Sequence, residues 1–203
     1  MVNYSAAQQL ALEKFRASSI EEIAHYSGYP RGDNTLFIPF LGEQYTLDYP
    51  SAIFKSVDSS SRKELPVPTQ ILILHYLTNI SEDKETGSLI SFKELPGGNI
   101  YIQPFTHRAI DPLVRSFGVN PDKLQEVVSH LGGNTNGHGD VGMTLRVFPR
   151  VPVALILWRE DDEFPASGTI LFDSSAPSIL PTEDYAVLAS TVVWRLKEIS
   201  ASL

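Results

Sequence analysis

Residues 140–173 read DVGMTLRVFPRVPVALILWREDDEFPASGTILFD, and no other stretch restricts the fold as tightly. Residues 143–148 alternate, with Met143, Leu145 and Val147 on one side and Thr144, Arg146 and Phe148 on the other, the period of a half-buried strand. The run VALILW at 153–158 is unbroken, as in a strand covered on both faces, although an apolar run this short also fits a buried helical turn. Pro149 and Pro152 bracket a connection too short for a crossover and interrupt any continuous ladder, which points to an antiparallel turn. Residues 169–172 return after EDDEFPAS, so the stretch reads as a meander of central strands.

The rest of the chain has to cover that meander. With 203 residues, 42% of them hydrophobic, one sizeable core fits, and a single domain over 1–203 is expected. A net charge of -8, with no basic run interleaved with aromatics, argues against a nucleic acid or an anionic membrane as partner. The chain has no cysteine, which excludes disulfides, thiolate catalysis and a cysteine-ligated iron–sulfur cluster within it. The start MVNYSAAQQLALEKF lacks a basic segment followed by an apolar one, and the stretch 65–81 is broken by Pro66, Pro68, Thr69, Gln70, His75 and Asn79. A cytoplasmic protein is the expectation.

In chain order, Ser5 with Gln8 and Ser19 with Glu22 form capping boxes, predicting a helix over 6–17 held by Leu10, Leu12 and Phe15 and a second one closed by Gly28. Residues 35–41 and 44–47 flank Gly42-Glu43 as a hairpin, with Pro39 marking a sheet edge. A polar loop at 57–64 follows, then a helix over 67–80 that is apolar nearly all round and carries His75, read as a core histidine with its ring hydrogen-bonded. Residues 89–95 and 99–105 straddle Pro96-Gly97-Gly98 and read as a second hairpin. Asp111-Pro112 and Asn120-Pro121 are helix starts; Leu124, Val127, Val128 and Leu131 share one helical face, and Gly132-Gly133 ends it. A last helix runs over 182–199, with Thr182 as its N-cap. The fold class is α+β, a mainly antiparallel sheet built from hairpins and a C-terminal meander, covered by about five helices.

Three features bear on chemistry. The loop GGNTNGHGD at 132–140 brings four glycines, a histidine and an aspartate, but lacks the Lys-Ser/Thr ending of a phosphate loop. The acidic run 160–163 is a solvated turn or, with oxygen ligands alone, a Mg2+ or Ca2+ site. Asp173 stands at a strand end; were the meander to gather His138, Glu163 and Asp173, a His/carboxylate metal or acid–base site would result. No GxSxG or HExxH spacing occurs.

SFKELPGGNIY, the glycine loop closing on Gly139-Asp140, VPVALILWREDDEFPASGTILFD and LPTED together resemble the bacterial and archaeal family named domain of unknown function 3786, over nearly the whole chain. The resemblance implies a lineage common in anaerobes, in which the domain is sometimes fused to an iron–sulfur segment. Without cysteines here, such a cluster would reside on a redox partner protein. It also implies a tetrapyrrole-binding role, of corrin or porphyrin type. That role asks for an apolar slot beside the sheet, with His107 and His138 as axial candidates ahead of His75, and with Tyr101, Phe105, Trp158 and Phe164 among the aromatics nearby. Three readings follow: a ligand-binding or accessory domain, a His/carboxylate metal enzyme, and a module docking a redox partner through its acidic face.

Overall fold

The computed structural model describes residues 4–58, 64–80, 82 and 84–203. In chain order the elements are α1 (Tyr4–Ala17), α2 (Ile20–Ser27), β1 (Thr35–Phe40), β2 (Glu43–Asp48), β3 (Ile53–Ser56), α3 (Val67–Asn79), β4 (Leu89–Ser91) and α4 (Gly98–Phe105). Then come α5 (Asp111–Phe117), α6 (Asp122–His130), β5 (Asn134–Thr135), β6 (Val141–Phe148), β7 (Val151–Trp158), β8 (Ser167–Asp173), α7 (Ala176–Ile179) and α8 (Thr182–Ser200). The fold is α+β. Two antiparallel sheets form, a three-stranded one ordered β1-β2-β3 and a five-stranded one ordered β4-β8-β7-β6-β5.

The meander is the middle of the larger sheet, and β7 is its central strand, with Val151 and 153–157 all buried. That is why VALILW shows no alternation: both faces of a central strand meet core. Pro152 is accommodated where the register slips between Arg146 and Phe148, since a bulge tolerates a residue with no N–H to give. The buried apolar side chains form one contiguous cluster from Ala11 to Ile199. Within it Phe148 stacks on Tyr76 at 4.4 Å between ring centroids, joining β6 to α3.

The helices cover the sheets as their apolar stripes dictate. On α8, Tyr185, Leu188, Ala189, Val192 and Leu196 are buried, and α3 is buried on most of its surface. His75 Nδ1 lies 2.7 Å from Oδ2 of the buried Asp184, so its ring is hydrogen-bonded across the α3–α8 contact. Ser19 accepts the Glu22 N–H, and Gly28, at φ +77°, closes α2. Among the described residues no helix is long and apolar enough to cross a membrane.

Several local expectations are corrected. Only Leu89–Ser91 of the second predicted hairpin is strand; Ser91 and Glu94 instead form a capping box around a 3-10 turn, Phe92–Glu94, and the chain after Gly97 becomes α4. The Phe92 and Phe105 rings stack at 4.0 Å and draw that helix onto the turn. Asp111-Pro112 continues a rod rather than starting one: α4 passes through a π-turn, Thr106–Ile110, into α5. Counting that rod once gives seven helices among the described residues. Leu10 is exposed, and Ala11 and Phe15 anchor α1 instead. Pro181 holds the N-cap position of α8, while Thr182 Oγ1 donates to the Pro96 carbonyl at 2.7 Å. β3 carries no sequence signal of the kind used above, and α7 carries only Ser175 with a proline in its first turn. Most of the polar loop at 57–64 lies outside the described residues.

Candidate functional site

The outer face of α8, the β1–β2 hairpin, the start of α3 and the π-turn enclose a cleft of about 430 Å3. Its walls are largely apolar, with Phe40, Leu41, Leu65, Pro68 and Val187 among them. The hairpin is fixed to α8 by one arginine. Arg195 Nε donates to the Leu41 carbonyl at 3.1 Å, Nη2 pairs with Glu43 Oε1 at 3.0 Å, and Nη1 reaches Glu198 Oε2 at 3.3 Å. The Tyr45 hydroxyl donates to the other oxygen of Glu43. Burial, then the hydrogen bond to Glu43 and its charge, push the Tyr45 phenol well above its ordinary range, so it stays a donor at neutral pH. Ser190 and Thr191 hydroxyls both donate back to the Val187 carbonyl. These polar walls are therefore already committed within the protein.

Arg108 differs. It comes from the π-turn and stands exposed at the edge of the cleft, and its side chain has no hydrogen bond or ion pair to any other described residue. The turn has a local cause: Pro104 and Pro112 lack N–H groups eight positions apart, so the helical ladder between them slips, and the Asp111 N–H reaches the Thr106 carbonyl five residues back. Such π-turns recur at functional sites.

The profile described as "Domain of unknown function (DUF3786)" matches residues 19–195. The chain belongs to the DUF3786 family. No curated protein and no solved structure matches it. Apart from Glu198, every cleft residue of this DUF3786 chain lies inside the matched span.

The DUF3786 fold distributes the residues singled out in the sequence. None of His107, His138, Tyr101, Phe105, Trp158 and Phe164 lines the cleft. Phe105 is buried against Phe92 and Phe172, whereas Tyr101, Trp158 and Phe164 are exposed. His107 is exposed with Nδ1 2.8 Å from Asp111 Oδ2. His138 is exposed in the glycine loop, next to the Leu157 end of β7, where the Asp140 N–H donates to the Leu157 carbonyl. Glu163 is exposed on the acidic turn. Asp173 sits at the other end of the sheet, beyond Phe172, which pairs with Val153, while Ser167 pairs with Trp158. Five strand steps separate those ends, roughly 17 Å, so His138, Glu163 and Asp173 are not brought together. Among the described residues no group of three His, Cys, Asp or Glu side chains is placed to hold a metal ion.

Asp173 has a different occupation. It is buried, and its carboxylate accepts the Thr86 N–H and hydroxyl, each at 3.0 Å, the Gly87 N–H at 2.7 Å and the Ser175 N–H at 2.9 Å. Two of the four glycines of the 132–140 loop, Gly133 and Gly139, serve packing: a Cβ on Gly139 would meet Ile156 Cγ2 at 2.6 Å and the Leu157 carbonyl at 2.7 Å, whereas at Gly132 and Gly137 nothing lies within 4 Å. The cleft residues Glu43, Tyr45, Arg108 and Arg195 were missed in the sequence reading. Two signals pointed to them: Trp194 and Arg195, which fall off the apolar stripe of α8, and the eight-residue spacing of Pro104 and Pro112.

Proposed function

We propose that this chain is a ligand-binding or accessory domain whose cleft, between α8 and the β1–β2 hairpin, takes a small molecule with an apolar body and an acidic group. The observation that carries the reading is an apolar-walled cleft with an unpaired arginine at its edge, beside a frame in which Arg195, Glu43, Tyr45, Ser190 and Thr191 are already partnered. Its size falls in the range of ligand sites, about 300–1,000 Å3. An acid group reaching Arg108 gains a charge-assisted hydrogen bond without displacing an internal partner. A porphyrin or corrin with peripheral carboxylates belongs to this ligand class and is the member the family resemblance brings forward. No histidine among the described residues lines the cleft, so such a ring would be held by its faces and carboxylates and not by an axial imidazole from them.

The test is titration of the purified protein with haem, metal-free protoporphyrin IX and a cobalamin-type corrinoid, followed by absorbance and tryptophan fluorescence. Haem and its metal-free counterpart are expected to bind with similar affinity, and Arg108→Ala to weaken both by about fivefold to tenfold. No response to any of the three removes the tetrapyrrole. Haem binding that is much tighter than metal-free binding and is lost in His107→Ala or His138→Ala would place the ligand elsewhere.

A second reading, docking of a basic redox protein, has its own support in the exposed Trp158 and Phe164 flanking the acidic turn at 160–163. It predicts an association with a basic electron carrier that weakens steeply between low and high salt; salt-insensitive association counts against it.

A further inference from the structure

We infer that the ligand of the cleft carries at least two acid groups, held on opposite sides of Trp194. The inference rests on the ligand-binding reading and adds the chemistry of its second contact. Trp194 projects from α8, 56% exposed, and forms a ridge shared by the cleft and an adjoining hollow of about 400 Å3. Pro112, Arg115, Val193 and Lys197 line that second hollow. Lys197 Nζ lies 4.9 Å from the Trp194 ring centroid. Arg108 and Arg115 come from one helical rod, seven residues apart and thus roughly 10 Å along its axis.

The charges are what single out this ridge. The chain carries 24 acidic against 16 basic side chains, so a surface cation here has carboxylates in excess to choose from. Yet neither Arg108, Arg115 nor Lys197 has a hydrogen bond or ion pair from its side chain to another described residue. Nearby carboxylates are engaged elsewhere: Glu43 and Glu198 with Arg195, and Asp111 with His107. Glu64, exposed at the rim of the cleft, is the lining acid without such a partner among the described residues, and no acid lines the second hollow. Two arginines without a side-chain partner, and a lysine whose contact is the Trp194 ring itself, flank one exposed indole; they match a flat apolar body lying across Trp194 with an acid group on either side, since stacking and charge-assisted contacts then act together.

Two dyes separate the parts of this claim. 1-Anilinonaphthalene-8-sulfonate carries one sulfonate; its dimer, bis-ANS, carries two on a body long enough to cross the ridge. In a Trp158→Phe background Trp194 is the sole tryptophan, and its quenching reports contact at the ridge itself. Both dyes are expected to quench it, with Arg108→Ala weakening both. The double variant Arg115→Ala/Lys197→Ala is expected to weaken bis-ANS by about fivefold to tenfold while leaving the monosulfonate within about twofold. All three cations are exposed, so circular dichroism should be unchanged. If the double variant leaves bis-ANS unaffected, or weakens both dyes equally, the second acid contact is overturned while the ligand-binding cleft survives. If neither dye quenches Trp194, both fall.

Discussion

Asp173→Ala is expected to cost about 3 kcal/mol of unfolding free energy, because a buried carboxylate that accepts charge-assisted hydrogen bonds leaves their donors unsatisfied when it is removed. Its partners are the Thr86 and Gly87 N–H groups, the Thr86 hydroxyl and the Ser175 N–H, so one side chain ties the segment before β4 to the end of β8. Burial alone would raise the pKa of this group; the hydrogen bonds from Thr86, Ser175 and Gly87 more than reverse that and hold it at about 2, below the ordinary 3.8. The sign follows from the depressed value. The charged form contributes its stability above the unfolded pKa, and that contribution, about 2 kcal/mol, is lost as pH falls from about 4 towards 2. Urea unfolding at pH 7 and at pH 2.5 measures both effects. The wild type should lose most of this component on acidification and the alanine variant should lack it; Asp173→Asn, which keeps the shape but not the charge, should fall between them at pH 7. A neutral-pH loss under about 1 kcal/mol in Asp173→Ala would show that the carboxylate does not tie the segment before β4 to β8.

That residue also shows where reading from the chain alone stops. A carboxylate at a strand end looks the same whether it faces a ligand or a loop, and apart from Ser175 its partners here, Thr86 and Gly87, lie 87 and 86 positions away, where no local pattern links them. The meander was legible for the opposite reason: alternation in 143–148, the unbroken run at 153–158 and the bracketing prolines all act within a few residues. The cleft combines both situations. The hairpin carrying Glu43 and Tyr45, the helix carrying Trp194 and Arg195, and the irregular rod carrying Arg108 each have a local signature, but their convergence is set by non-local contacts such as Arg195 to the Leu41 carbonyl. In the glycine-rich loop, close backbone packing at Gly133 and Gly139 and ligand binding ask for the same absent Cβ, so the pattern alone does not separate them.

Gly98→Ala is the sharper test of the one element whose class the chain concealed, with an expected loss of about 3 kcal/mol or more, against about 1 kcal/mol for Gly97→Ala. In the folded protein a Cβ at Gly98 would stand 1.9 Å from the Phe92 carbonyl oxygen and 3.0 Å from its carbon, and that backbone is not free to retreat. The turn holding it is closed by the Ser91–Glu94 capping box, and the Phe92 ring is stacked on Phe105. At Gly97 nothing lies within 4 Å of the added carbon, so only its backbone at φ +73° resists substitution. The size of the loss at Gly98 is specific to the helix. Had 89–95 and 99–105 paired as a hairpin, the three-residue loop Pro96-Gly97-Gly98 would put Gly98 alone at positive φ with its Cα facing solvent, and alanine there would cost only the left-handed penalty of about 1 kcal/mol. Chemical denaturation of the two variants side by side decides between the geometries. A loss of about 3 kcal/mol at Gly98 supports the packed 3-10 turn and α4, and with them the rod that presents Arg108; a loss near 1 kcal/mol there, with Gly97→Ala nearly neutral, would return this segment to strand and take Arg108 away from the cleft.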